Sequence, residues 1–161
     1  MSGRPFHVLV LCTGNSARSI LAECALNRRG EGRVRAFSAG SRPKGEPHPL
    51  ALALLEERGF DTSGLRSKSW DEFATPDAPP IDLVVTVCDN AARETCPVWP
   101  GAPLSVHWGV DDPAAVNGSP EEQRAAFELA WQELDAKIAR FAALDLEGLS
   151  RDALLAELRR I

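Results

Sequence analysis

The sequence predicts a single α/β domain built on a parallel, doubly wound sheet, and three observations carry that expectation. Apolar runs of strand length alternate with segments whose apolar residues recur at helical spacing. The connecting loops are short, and 161 residues at 44% hydrophobic composition suit one sizeable core rather than two. The run "IDLVVTVC", residues 81–88, is β-branched throughout its centre and lies between a proline pair and a polar loop, as a strand buried on both faces should.

Taken in order, Phe6–Leu11 is a continuous apolar run that reads as a buried strand. A small-residue loop follows, then Ile20, Leu21, Cys24 and Ala25 at helical spacing. Residues 34–38 read as the second strand, broken by "AGSRPKGEP". Leu50, Leu54 and Leu55 form the apolar face of a second helix, with Gly59 just past its end. Ser69 can cap a short helix through Phe73, "TPDAPP" is a linker, and residues 81–88 and 104–108 supply the third and fourth strands. Ser119 and Glu122 form a capping box around Pro120, opening a long helix with Phe127, Trp131, Leu134, Ile138 and Phe141 on one face. A short C-terminal helical extension begins at about residue 146, with Ser150 as its cap and Leu154, Leu155 and Leu158 facing the domain. In a doubly wound sheet, ligands bind beyond the carboxyl ends of the strands, where Cys12, Cys88 and the loop after Trp108 all fall.

Composition excludes several classes of partner. A formal charge of −5 and a pI near 5.2 argue against general binding to nucleic acid or anionic membrane. An anionic substrate therefore needs a local electropositive pocket. The apolar run near the N-terminus is too short and too early for a signal peptide, and no stretch has the length of a membrane span, so a cytoplasmic protein is expected. The four cysteines at 12, 24, 88 and 96 are then expected as thiols, and without a CxxC pair they argue against a structural zinc site. His7, His48 and His107 are scattered and read as structural, as do the four tryptophans.

The junction "VLVLCTGNSARSILAECAL" carries the chemistry. Thr13, Gly14, Asn15, Ser16 and Ala17 are small enough for the backbone to curl with its N–H groups inward, while the following helix points its positive end at the same place. Cys12 at the entrance of this anion cradle is expected to be a nucleophilic thiolate, stabilised by those donors, the Ser19 hydroxyl and Arg18, with a pKa of roughly 3.5–7.5. Arg18 can fork two donors onto a tetrahedral oxyanion. No Gly-Lys-Ser/Thr follows, so the loop is not a nucleotide P-loop. Asp112, on a loop facing the cradle, could protonate a leaving oxygen, as could its neighbour Asp111.

"CTGNSARS", "FSAG", "VVTVCDNAARETCPVWP" and "HWGVDDPA" occur in this order and resemble the low-molecular-weight tyrosine phosphatase fold family, especially its arsenate reductase branch. The resemblance implies a three-layer domain on a four-stranded parallel sheet. It also implies that Cys12 attacks the oxyanion, Arg18 binds it with Thr13, Gly14, Asn15, Ser16, Ala17 and Ser19, and Asp112 acts as general acid. Arsenate and phosphate are near-isosteric, so the cradle alone does not choose between a reductase and a phosphatase. A reductase needs further thiols, which Cys88 and Cys96 can supply. In the thioredoxin-linked members that this chain resembles, the counterpart of Cys88 attacks that of Cys12 to release arsenite, and the counterpart of Cys96 then takes over the disulfide.

That resemblance implies no bound cofactor or metal, an external thiol reductant with thioredoxin favoured over glutathione and glutaredoxin, phosphate or sulfate as competing oxyanions, and a monomer. Phosphatase relatives place aromatic residues after the Asp-Pro, whereas "DPAAVNG" follows here and the chain has no Tyr. Cys24 reads as a core residue. Relatives with a potassium site near the loop use residues resembling Asn15, Glu23 and Ser38 with an aspartate where Lys68 stands, so the Lys68 ammonium is expected to occupy the ion's place. The alternatives are a tyrosine phosphatase and a catalytically idle oxyanion-binding regulator.

Overall fold

The computed structural model describes residues 4–89, 91, 99 and 101–161. Its strands are β1 (Phe6–Leu11), β2 (Val34–Ala39), β3 (Leu83–Thr86) and β4 (Leu104–His107). They form one parallel sheet in the order β2-β1-β3-β4. That is a doubly wound arrangement, and the crossover direction reverses between β1 and β3. The carboxyl ends of those two strands therefore part to leave the crevice in which the site lies.

Alternation along β1 divides the core. Val8 and Val10 face helices α1 (Arg18–Gly30), α2 (Pro49–Glu57), α3 (Pro120–Ala142) and α4 (Arg151–Arg160), whereas Leu9 and Leu11 face Phe73, Ile81, Val84 and Trp99. The second face is closed by a 3-10 turn over Trp70–Phe73, with Trp70 edge-on to Trp99. This is the short helix expected there, capped by Ser69 at the Asp71 N–H and ending at Phe73, and with only four residues it winds as 3-10. The third strand is shorter than the run 81–88, although backbone hydrogen bonds to its neighbours continue at Asp82 on one side and Val87 on the other. β1 has the expected bounds, and β2 and β4 differ from expectation by one residue at an end.

The helix boundaries follow local chemistry. Ser119 and Glu122 make the reciprocal capping box, and Ser150 accepts from the Ala153 N–H. Gly59 lies just past α2 at φ +83. Leu154 and Leu158 bury α4 against the domain, where the Trp108 indole donates to the Leu158 carbonyl at 3.2 Å. Helix α1 differs: its N-terminus has no side-chain cap and no acidic residue in the first turn. Its positive end is thus left for the loop that precedes it. Among the described residues no helix is long and apolar enough to cross a membrane.

Candidate active site

The loop from Cys12 to Arg18 joins β1 to α1 at the crevice, with Cys12, Asn15, Ser16, Ala17 and Ser19 buried. Asn15 takes the left-handed conformation at φ +44, which a polar side chain tolerates when it can bond locally. Its amide is held on all sides: Nδ2 donates to Ser19 Oγ at 2.8 Å and Ser38 Oγ at 3.0 Å, and Oδ1 accepts from the Lys68 N–H at 2.9 Å. Ser38 in turn donates to Glu23 at 2.5 Å. The Ser19 hydroxyl accepts in this brace, and its own proton is not used by that bond.

Burial pushes the Glu23 carboxyl up, opposed by the Ser38 hydrogen bond and by the positive charge of Lys68. Burial pulls the half-buried Lys68 ammonium down, with Glu23 acting against that shift. Lys68 and Glu23 thus act on each other electrostatically, while the Lys68 ammonium itself donates to the Arg66 carbonyl at 3.1 Å.

β2 reaches the loop through a residue that must lack a side chain. A Cβ on Gly40 would lie 2.4 Å from the Thr13 carbonyl and 2.6 Å from that of Cys12. Across the loop, the Lys44 N–H donates to the Gly14 carbonyl at 3.0 Å, and the Lys44 stem packs where a Gly14 Cβ would be.

Arg18 lies at the start of α1 and is directed by the loop after β4. Its Nη1 donates to the Val110 carbonyl at 2.9 Å, and its Nη2 is 3.7 Å from Asp112 Oδ2. Arg18 Nε is buried and has no hydrogen-bond partner among the described residues. A buried guanidinium nitrogen left unpaired is costly unless something arrives to accept from it, and an oxyanion has that capacity. Asp112 is partly exposed and accepts from the Ala114 N–H, which orients it at the head of the 3-10 turn Pro113–Ala115, while Asp111 is exposed to solvent.

The second thiol enters from β3. Cys88 Sγ accepts from the Thr13 N–H at 3.3 Å and the Ala91 N–H at 3.4 Å, and lies 3.5 Å from Thr13 Oγ1. Cys12 and Cys88 are themselves hydrogen-bonded, so the pair shares a proton and titrates as a unit. The hydrogen bond from Cys12, together with the Thr13 and Ala91 donors, brings Cys88 down to about 5 against the opposing effect of burial. Cys12, the donor in that bond and buried, is pushed up, although Arg18 and the Gly14 N–H act the other way. The member drawn down within this coupled pair is Cys88. The physical reason is that Thr13 turns its N–H and hydroxyl toward Cys88, a contact across 75 positions of chain.

Of the expected site residues, Cys12, Arg18, Asp112, Cys88 and the loop 13–19 come together in one crevice, and Cys96 lies outside the described residues. Cys24 is buried on α1, where desolvation lifts its thiol to about 12, as suits a core residue. His107 is bonded to Thr86 and Asp89. Val110, Gly40 and Thr13's role toward Cys88 were not anticipated; only "FSAG" hinted at a backbone approach, through its glycine.

Known proteins resemble this arrangement. Residues 7–153 match the family model of low molecular weight phosphotyrosine protein phosphatase. An arsenate reductase of Halalkalibacterium halodurans is 38% identical over 135 residues, 84% of this chain and 94% of its own. Among solved structures, an arsenate reductase of Archaeoglobus fulgidus is 26% identical at a TM-score of 0.67, covering 85% of this chain and 99% of its own. A thioredoxin-dependent arsenate reductase of Corynebacterium glutamicum is 27% identical at 0.64, covering 88% of this chain and 62% of its own.

The thiol pair generates a prediction. Thiolate absorbance should show one thiolate forming with a midpoint near 5, because Cys88 is lowered to about that value. Cys88→Ser should remove this early step, and Thr13→Val should move it upward by about one unit as a hydroxyl donor is lost. A first step at the ordinary cysteine value in the parent would contradict the geometry.

Proposed function

The chain belongs to the low molecular weight phosphotyrosine protein phosphatase family, and from that premise we propose that it is an arsenate reductase using a cysteine relay. The observation that carries this reading is the second thiol at the loop: Cys88 hydrogen-bonded to both Cys12 and Thr13. A phosphatase needs only Cys12, Arg18 and Asp112 and leaves the buried Cys88 without a task.

In the proposed reaction arsenate enters the loop 13–19 and accepts hydrogen bonds from the loop N–H groups and from Arg18, including its unpaired Nε. The Cys12 proton passes to an oxygen of the arriving anion. The Cys12 sulfur then attacks arsenic, and one arsenic–oxygen bond breaks, the oxygen leaving as water with a proton from Asp112. Cys88 next attacks Cys12 Sγ. A sulfur–sulfur bond forms, the sulfur–arsenic bond breaks, and its electron pair stays on arsenic, which departs as arsenite. Cys96 then attacks Cys88 and frees Cys12, leaving a Cys88–Cys96 disulfide for an external dithiol to reduce. The donor in this reading is thioredoxin, as in the Corynebacterium relative, and the protein works as a cytoplasmic monomer with phosphate and sulfate as competitors.

Three outcomes test it. Cys12→Ser should lower both arsenate reduction and aryl-phosphate hydrolysis by about four orders of magnitude or more, whereas Cys88→Ala should stop repeated arsenate turnover and leave slow hydrolysis of a small aryl phosphate intact. Loss of both activities in Cys88→Ala would refute the division of labour. Thioredoxin with its reductase should sustain turnover without glutathione, and Cys96→Ser should end it; full turnover by that variant removes Cys96 from the relay. In this reading the Lys68 ammonium, which acts electrostatically on Glu23, takes the place of an ion, so exchanging potassium for sodium at constant ionic strength should leave the rate unchanged, and a large, specific potassium activation would show that it does not.

A further inference from the structure

Beyond Thr86 the chain leaves the sheet, and Cys88 must be presented to Cys12 by a segment without a strand partner on its far side. Its backbone is held at Val87, whose N–H donates to the Leu11 carbonyl at 3.0 Å and whose carbonyl accepts from the Val110 N–H at 3.1 Å. The next residue after Cys88 is held by an imidazole. His107, the last residue of β4, lies 2.8 Å from Thr86 Oγ1 through Nδ1 and 3.0 Å from Asp89 Oδ1 through Nε2. In either charge state of the ring the Nε2–H donates to the Asp89 carboxylate; a neutral ring accepts at Nδ1 from the Thr86 hydroxyl, and an imidazolium donates to that oxygen.

The neighbouring backbone is fitted to this bridge. A Cβ on Gly109 would lie 2.8 Å from His107 Nε2 and 3.5 Å from Asp89 Oδ1, so the ring meets the carboxylate only because residue 109 has no side chain. Thr86, His107 and Asp89 thus tie the ends of β3 and β4 to the turn that carries the second thiol.

We propose that His107 is a positioning residue for Cys88, bridging Thr86 and Asp89 so that the second sulfur stays aligned on Cys12. This rests on the relay described above. Arg18 is bonded to the Val110 carbonyl and Asp112 accepts from the Ala114 N–H rather than from the bridge residues, so in this proposal attack on the oxyanion does not depend on the bridge. Sulfur-on-sulfur attack does, because displacement requires the incoming thiolate close to and in line with the breaking bond.

The test uses the reduced full chain mixed with arsenate, quenched in acid at short times, with the Cys12–Cys88 disulfide followed by mass spectrometry in a Cys96→Ser background. His107→Ala and Asp89→Ala should form it about ten-fold more slowly, with phosphate affinity and aryl-phosphate hydrolysis within two-fold of the parent. His107→Gln, whose amide can still donate to Asp89, should recover most of the rate, and His107→Asn, which reaches only Thr86, should not. The pH profile of Cys88 alkylation should shift upward in His107→Ala, as the Thr13 and Ala91 donors lose their common target. Disulfide formation at the parent rate in His107→Ala overturns the proposal, as does an equal loss of phosphate affinity, which marks a general structural role. A parent that forms no disulfide refutes the relay instead, and the alkylation profile then decides the placement of Cys88 by itself.

Discussion

The site depends on one contact: Thr13, the residue after Cys12, donates its N–H to Cys88 Sγ at 3.3 Å. Through it the first loop of the chain and the end of the third strand become one chemical unit. The contact exists because β1 and β3 are parallel neighbours, with Leu11 opposite Thr86, so that both chains leave the sheet at the same level. A parallel sheet aligns its carboxyl ends by construction, and the reversal of winding between these strands keeps a helix from covering them.

The rest of the crevice holds that unit in a conformation it would not keep alone. Asn15 sits at positive φ and is over-determined by Ser19, Ser38 and the Lys68 backbone, which is how a sparsely populated backbone state persists in a folded protein. The Ser38–Glu23 bond anchors this network, and the Ser38 hydroxyl opposes the upward push that burial gives the Glu23 carboxyl. Gly40 lets β2 close against the loop carbonyls, and the Val110 carbonyl fixes one end of Arg18 while leaving Nε unpaired. The cradle is thus assembled before any anion arrives, which spares the ligand the cost of ordering it.

Much of this was legible in the sequence where a local signal existed. The four strands, the capping box at Ser119 and the cap at Ser150 follow from period and cap chemistry, and the anion loop follows from small residues between a buried strand and a helix. What escaped were interactions between segments far apart in the chain. The Arg18 bond to Val110 spans 92 positions, and a backbone carbonyl leaves no mark on residue identity. Which of two sulfurs Thr13 would face escaped for the same reason: the loop donors were visible in "TGNSA", but the outcome depended on where β3 ends. The short helix at Trp70–Phe73 was legible from its Ser69 cap, although a cap residue announces a start and does not say that the turn will be 3-10.

The central claim is that Cys12 and Cys88 together deliver two electrons to one bound oxyanion. Its most direct measurement is the yield of a single turnover, with fully reduced Cys96→Ser protein held anaerobically with excess arsenate and no other reductant, and arsenite and disulfide counted per chain. The account predicts one arsenite and one Cys12–Cys88 disulfide for each chain. Arsenite formed without that disulfide, or bound arsenate with no arsenite released, would contradict it.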